Sequence, residues 1–134
     1  MNPPYFKRNS VKKSPKLSSR QAKIETVSLS EWFSVAKKRC KPNGKVTIIQ
    51  RIERLPEIIK CLNGYFGQII VQPISSFKDT SPKTIIVQAT KSSNGAFKLL
   101  APKIVHKRDV GTGEVLYEDE FKKILSSGHP LRLN

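Results

Sequence analysis

The chain has 134 residues, a hydrophobic fraction of 37% and a formal net charge of +15 at pH 7. This length allows one domain at most, and the apolar fraction supports an ordinary core. The charge favours a polyanion such as RNA or DNA through counterion release, although a generically basic protein would show the same excess. No apolar run approaches the roughly 20 residues of a membrane helix. We therefore expect a cytoplasmic protein without a membrane partner.

The first residues, Asn2-Pro3-Pro4-Tyr5-Phe6, combine an amide, two prolines and aromatic rings. Proline has no N–H, so the neighbouring carbonyls are left to accept hydrogen bonds from another donor. Asn2 adds a side-chain acceptor, and Tyr5 adds a face for stacking. A flipped adenine or cytosine needs these groups around its exocyclic amino group. A disordered initiator tail is the alternative interpretation, since chain termini are often poorly ordered.

A basic, serine-rich segment covers residues 7–23 and contains seven cations and no acid. Such a segment cannot bury enough apolar surface to order itself. We predict a flexible loop beside the opening motif that holds the phosphates flanking a target nucleotide. A solvated loop without a defined contact is the alternative. The residues assigned to phosphate binding are Lys12, Lys13, Lys16 and Arg20.

The first predicted helix covers residues 29–40 and begins with a capping box formed by Ser28 and Glu31. Cations in its last turn complement the helix dipole. Residues 42–44 form a turn, and the β-branched residues that follow predict a strand over residues 45–50. The apolar stripe of the helix consists of Leu29, Trp32, Phe33 and Ala36.

Further along the chain, a second helical pattern covers residues 54–63 and ends at Gly64. A strand over residues 69–73 should stop at its proline, and a polar loop follows it. The apolar run of residues 84–90 predicts a central strand.

The last third of the chain is less regular. Residues 98–105 are extended and interrupted by Pro102, which is typical of an edge. Gly111-Thr112-Gly113 is a turn between extended segments, and residues 118–126 form a closing helix. Cys40 and Cys61 are too far apart in sequence for a metal knuckle, so we expect reduced core cysteines.

The opening motif resembles the Asn-Pro-Pro-Tyr motif of class I S-adenosylmethionine (SAM) dependent methyltransferases that modify exocyclic amino groups. The element order resembles the second half of their sheet, whose final strand runs antiparallel between its neighbours. More specifically, the chain resembles the bacterial valine-tRNA adenine-N6 methyltransferase family, and this continuity argues against an initiator tail. The segments that carry this resemblance are residues 2–6, the basic loop, residues 29–40, 44–46 and 51–55, and the tail from 102 to 125.

The resemblance implies an α/β fold: the C-terminal half of a Rossmann-like class I methyltransferase, with a mixed three-stranded sheet and helices. Residues 1–27 would form the catalytic segment and basic loop, and residues 28–134 the C-terminal part of the domain. Asn2 and Pro3 would orient the amine, with Pro4 completing the motif. Tyr5 would stack on the base, and Phe6 would pack behind it.

The N-terminal cofactor half is expected to be absent. No glycine-rich turn follows a strand, and no acidic residue lies at the spacing that binds a ribose. SAM would therefore bind only when another half complements the chain. The strand over residues 45–50 should present an unpaired edge. Its expected cover is the product of an upstream reading frame or a second copy of this chain, unless the protein is an unstable split-gene remnant.

Two functional hypotheses follow. The first is a fragment of a methyltransferase that acts on the adenine amino group in tRNA and is inactive alone. The second is a non-catalytic RNA-binding relic of such an enzyme. Methylation of a protein glutamine is a weaker third hypothesis, since the basic charge argues against it.

Overall fold

The computed structural model of the chain describes residues 1–4, 6–7, 24–25 and 27–133. Within these residues it contains nine strands and three helices, and no helix is long and apolar enough to cross a bilayer. In chain order the elements are β1 Phe6–Lys7, β2 Ile24–Glu25, α1 Leu29–Arg39, β3 Lys45–Arg51, α2 Leu55–Leu62, β4 Phe66–Ser75, β5 Thr84–Lys91, β6 Lys98–Leu99, β7 Lys103–Ile104, β8 His106–Arg108, β9 Val115–Tyr117 and α3 Asp119–Ser127.

Helix α1 begins at the predicted capping box. The Glu31 amide donates to the Ser28 Oγ, and the Ser28 amide donates to the Glu31 carboxylate at 2.8 Å. These bonds satisfy donors that the first turn of a helix cannot pair internally. Helix α2 follows a 3₁₀ turn over Ile52–Arg54 and carries its proline in the first turn, where the missing N–H has no cost.

The main sheet has the strand order β3-β5-β4-β6, and β7 also pairs with β4. Strand β5 is antiparallel to both β3 and β4, whereas β6 and β7 are parallel to β4. The predicted mixed α/β fold and the central position of the strand over residues 84–90 are confirmed. The two short strands extend the predicted three-stranded sheet to five.

Pro73 does not end strand β4, which continues to Ser75. The prediction that it stops the strand was wrong because the neighbour of β4 is itself interrupted there. Strand β6 pairs with Ile70 and Val71, and β7 pairs from Ile74 onward. Pro73 lies in the gap between these pairings, where a missing N–H leaves no ladder bond unmade.

The hydrophobic core lies between one face of this sheet and helices α1 and α2. Leu29 and Phe33 of α1 and Ile58 and Leu62 of α2 are buried in it. The sheet residues that complete this core are Val46, Ile48, Phe66, Val71, Ile85, Val87 and Ala89. Cys40 and Cys61 pack against its border as free thiols, as predicted, and burial raises the pKa of Cys61.

The opposite sheet face is less buried. Side chains alternate along a strand, so Thr47 and Ile49 of β3 point away from the helices. Their cross-strand partners are Gln88 and Ile86. Three of these four side chains are half-buried, and Thr47 is exposed.

The C-terminal segment forms a separate two-stranded hairpin, in which β8 pairs antiparallel with β9. The turn at Gly111-Thr112-Gly113 and its extended flanks were predicted, but their pairing was not. Helix α3 then ends at Gly128, whose φ of 64° favours glycine. It contains no buried residue, and Leu125 is 64% exposed, so α3 closes the fold less tightly than predicted.

Candidate amine-binding site

The first residues of the chain lie along the outer edge of β3. The Met1 ammonium donates to the Thr47 carbonyl, and the Ile49 amide donates to the Met1 carbonyl at 3.3 Å. This pair of bonds is the pattern of a parallel bridge, with Met1 opposite Ile48. The chain therefore runs parallel to β3 at this point and brings residues 2–4 to the carboxyl end of that strand.

Gln50 fastens the proline pair to the sheet. Its side chain is fully buried, and its Nε2 donates to the Pro4 carbonyl at 3.1 Å and, more weakly, to the Pro3 carbonyl at 3.4 Å. Its Oε1 accepts the Arg51 amide at 2.9 Å. Sequence reasoning missed this residue. The available signal was a polar side chain at the inward-facing position after Val46 and Ile48.

Asn2, Pro3 and Pro4 differ in accessibility. Asn2 is exposed, Pro4 is half-buried and Pro3 is buried. The expectation that the proline carbonyls are left free needs correction, because each accepts a hydrogen bond from Gln50. A carbonyl oxygen has two lone pairs, so each can still accept a second donor. The exposed Asn2 is therefore followed by a proline pair that Gln50 holds against the sheet.

The other predicted site residues are not positioned by the structure. Tyr5, Lys12, Lys13, Lys16 and Arg20 lie outside the described residues. Phe6 is described only as a member of β1. Strand β1 pairs parallel with β2, with Phe6 opposite Ile24 and Lys7 opposite Glu25. The segment between residues 7 and 24 therefore begins and ends at neighbouring points.

Several strands end beside this site. Thr84, at the start of β5, is paired with Arg51 of β3 on one side and with Ile74 of β4 on the other. The carboxyl ends of β3 and β4 thus meet at the same end of the sheet. In open α/β sheets, ligands bind outside the carboxyl ends of the strands.

The carboxylate beside this sheet end is paired. The Arg51 guanidinium donates to both oxygens of Glu53, at 2.9 and 3.2 Å. This fork lowers the pKa of Glu53 and raises that of Arg51. Glu53 is therefore held as a carboxylate. Its lowered pKa makes it a weak proton acceptor, which is unsuited to the role of a general base.

The described residues lack the glycine-bearing turn that a methyl-donor site commonly uses. The three connections from a strand to a helix, before α1, α2 and α3, contain no glycine in their described residues. The backbone usually approaches an adenosyl group closely at such a glycine, because glycine has no side chain in the way. Across the same residues, no group of three His, Cys, Asp or Glu side chains could hold a metal ion.

A cavity lies at the opposite end of the sheet from residues 2–4. Its lining includes Lys37, Lys38, Tyr65 and Lys91. The Lys91 Nζ donates to the Lys37 and Cys40 carbonyls at 2.6 Å, which satisfies carbonyls at the end of α1. The Lys37 Nζ lies 3.1 Å from the centre of the Tyr65 ring, and this lysine lowers the pKa of Tyr65. Lys37 and Lys91 are therefore engaged in contacts within the protein.

No protein-family model matches the sequence, and no curated protein matches it. In fold, the chain is similar to a crystal structure from Agrobacterium tumefaciens described as a predicted O-methyltransferase, protein Atu636. The TM-score is 0.64 at 22% identity, over 71% of this chain and 44% of the other. The chain therefore has a mixed α/β fold similar to that of a methyltransferase structure, and it spans less than half of that neighbour's length.

Proposed function

We propose that this chain is the amine-binding part of a methyltransferase that modifies the exocyclic amino group of adenine in tRNA. The observation that carries the proposal is the attachment of residues 2–4 to the carboxyl end of β3 through Gln50 and the Met1 bridge. The methyltransferase-like fold supports the reaction class. The net charge of +15 supports RNA as the substrate class, since phosphate contacts are made by Lys and Arg.

The chemistry assigned to these residues is orientation. An exocyclic amine has two N–H donors, and its lone pair is delocalised into the ring. The Asn2 side-chain oxygen and the Pro3 carbonyl would accept these two donors and favour a pyramidal nitrogen, whose lone pair is localised and can attack the methyl group. The Gln50 amide keeps the Pro3 carbonyl in place. Such positioning removes much of the orientational part of the barrier.

Methyltransferases of this fold generally use SAM, and the described residues lack its binding site. We therefore assign SAM to a complementary polypeptide, encoded upstream, that would add a parallel strand along the part of the β3 edge that precedes the Met1 bridge. Thr47 directs both its carbonyl and its N–H toward this edge, because the two groups of one strand residue point the same way. Met1 already occupies the carbonyl, so the N–H is the group that the added strand would bind. The parallel bridge made by Met1 sets the direction of the added strand.

Replacement of Asn2 by Ala tests the proposal in the complemented enzyme. We expect the rate of methyl transfer to an adenine-containing tRNA transcript to fall about 100-fold, because misorientation of the reacting group has costs of this size. SAM affinity, measured by calorimetry, should stay nearly unchanged. Asn94→Ala, an exposed amide at the opposite end of the sheet, is the control and should retain the rate.

The outcomes separate the hypotheses. A large loss of SAM affinity in Asn2→Ala would contradict the orienting role. RNA binding without methyl transfer, with every partner present, would favour the non-catalytic RNA-binding module.

A further inference from the structure

A row of rings and one guanidinium lies at the same end of the sheet as the amine-binding site. The centres of the Phe77 and His106 rings are 5.6 Å apart, and those of His106 and Tyr117 are 4.9 Å apart. The Arg108 Cζ lies 5.1 Å from the centre of the Phe77 ring. We call this row, Arg108, Phe77, His106 and Tyr117, the aromatic row.

The backbone fixes the aromatic row against the end of β4. The Val105 amide donates to the Ser75 carbonyl and the His106 amide to the Ser76 carbonyl, both at 2.9 Å. His106 is directly opposite Tyr117 in the β8–β9 hairpin. Phe77 is held by its own turn, in which its amide donates to the Thr80 Oγ1 at 3.1 Å. Backbone hydrogen bonds therefore hold the residues of the aromatic row in place.

The surface beside the aromatic row is concave, with a cavity of about 490 Å³. Phe77, Ile104 and His106 supply apolar walls. The charged side chains along it nearly balance, and Lys107 is paired with Glu118 at 3.8 Å. They are three cations and two carboxylates: Lys78, Lys107, Arg108, Asp79 and Glu118. An uncharged planar group therefore fits this cavity better than a phosphate does.

We propose that the aromatic row stacks an unpaired base of the RNA substrate, a few nucleotides from the base held by residues 2–4. Unpaired RNA bases are bound on aromatic faces and guanidinium planes. This inference rests on the proposed function for the identity of the substrate as RNA and for the position of the modified base at residues 2–4.

The separation of the two sites fits one RNA strand. From β3 the sheet passes through β5 and β4 to β7, and three strand spacings amount to about 14 Å. At roughly 3.4 Å per stacked nucleotide, this distance corresponds to about four nucleotides. One unpaired loop can therefore contact both sites.

The test uses the full chain and an RNA stem-loop that carries the fluorescent base 2-aminopurine at one loop position at a time. Stacking quenches this base, so we expect quenching by the wild-type chain at one or two positions. Tyr117→Ala should abolish the quenching there and weaken binding about tenfold, the size expected for one stacked base. Tyr117→Phe, which keeps the ring, should restore both.

Tyr65→Ala is the matched control. Tyr65 is 49% exposed and Tyr117 is 46% exposed, and a cation lies over the Tyr65 ring, but it belongs to the opposite end of the sheet. This variant should keep the wild-type affinity. Arg108→Gln provides a second test if Tyr117→Ala fails to fold, because Arg108 is exposed and its replacement leaves the hairpin rings intact. It should also weaken binding and quenching.

The inference is overturned if folded Tyr117→Ala, or Arg108→Gln in its place, binds and quenches like the wild type. It is equally overturned if Tyr65→Ala weakens binding as much. No methyl donor is present in these measurements. If methyl transfer fails in the complemented enzyme, that result counts against the proposed function alone. The stacking proposal is judged only by quenching and RNA affinity.

Discussion

At the scale of single residues, Gln50 links residues 2–4 to the core. A buried amide is costly unless its donors and acceptor are paired, and Gln50 bonds to Pro3, Pro4 and the Arg51 amide. Gln50 also follows Val46 and Ile48 on the inward-facing side of β3 and covers the end of this apolar row. The position of residues 2–4 and the stability of the sheet end are therefore coupled through one residue.

We expect Gln50→Leu to lower the free energy of unfolding by about 1–3 kcal/mol, because it leaves buried polar groups without a partner. Denaturant unfolding followed by Trp32 fluorescence measures the loss. Gln88→Leu is the control, since the half-buried Gln88 makes one side-chain bond, to Thr47 at 3.1 Å, on the open sheet face. Equal losses in the two variants would show that Gln50 has no special structural role.

At the scale of elements, helix α1 depends on its capping box. Hydrogen bonds from the Ser28 side chain and backbone lower the pKa of Glu31 below its usual 4.5. A carboxylate whose pKa is depressed by folding stabilises the folded state above its unfolded pKa. That contribution disappears as the pH falls through the lower folded value.

Glu31→Gln should therefore destabilise the chain by a constant amount above pH 4.5, and the difference from wild type should shrink at lower pH. Thermal unfolding measured across this pH range checks the pattern. In a Ser28→Ala background the effect of Glu31→Gln should be smaller, because the largest cause of the pKa shift is gone. A difference that grows toward low pH would contradict this account.

The second element-scale feature is the outer edge of β3, which was predicted to be unpaired and is covered in part by Met1. Proline is tolerated at a strand edge where its N–H would face outward, so Thr47→Pro should leave the chain folded. It should prevent a complementary strand from pairing and thus abolish assembly with the donor-binding polypeptide. Thr47→Val, which keeps the N–H, should assemble normally.

Light scattering on the mixed polypeptides measures the mass of the assembly. A wild-type chain that runs as a dimer alone, and as a monomer after Thr47→Pro, would identify a second copy as the occupant of the edge.

At the scale of the whole molecule, we expect the net charge of +15 to dominate the proposed association with RNA. Replacing Lys12, Lys13 and Lys16 by Gln should reduce the slope of log affinity against log salt by about 2, at roughly 0.7 per contact to a single strand. The control variant replaces three exposed lysines of α2 and α3 by Gln and so changes the net charge by the same amount. These are Lys60, Lys122 and Lys123. An unaltered slope in the variant of Lys12, Lys13 and Lys16 would show that the basic segment does not contact the RNA.

Local signals were sufficient for the elements that depend on neighbouring residues. Helix α1 could be predicted from its capping box and apolar spacing, and the turn before β3 from Pro42-Asn43-Gly44. Strand β4 was predicted too short, because the tolerance for Pro73 depends on a gap between β6 and β7 that lies more than 25 residues further along the chain.

The sequence by itself determined the charge, the helix boundaries, the central strand and the motif with its acceptors, since composition, periodicity and capping act within a few residues. Only the tertiary structure decided that Gln50 holds the two prolines, that Met1 runs parallel to β3 and that three rings and a guanidinium form one row. Each of these contacts joins residues far apart in the chain. Their pairing follows from strand order and register, which no short stretch of sequence encodes.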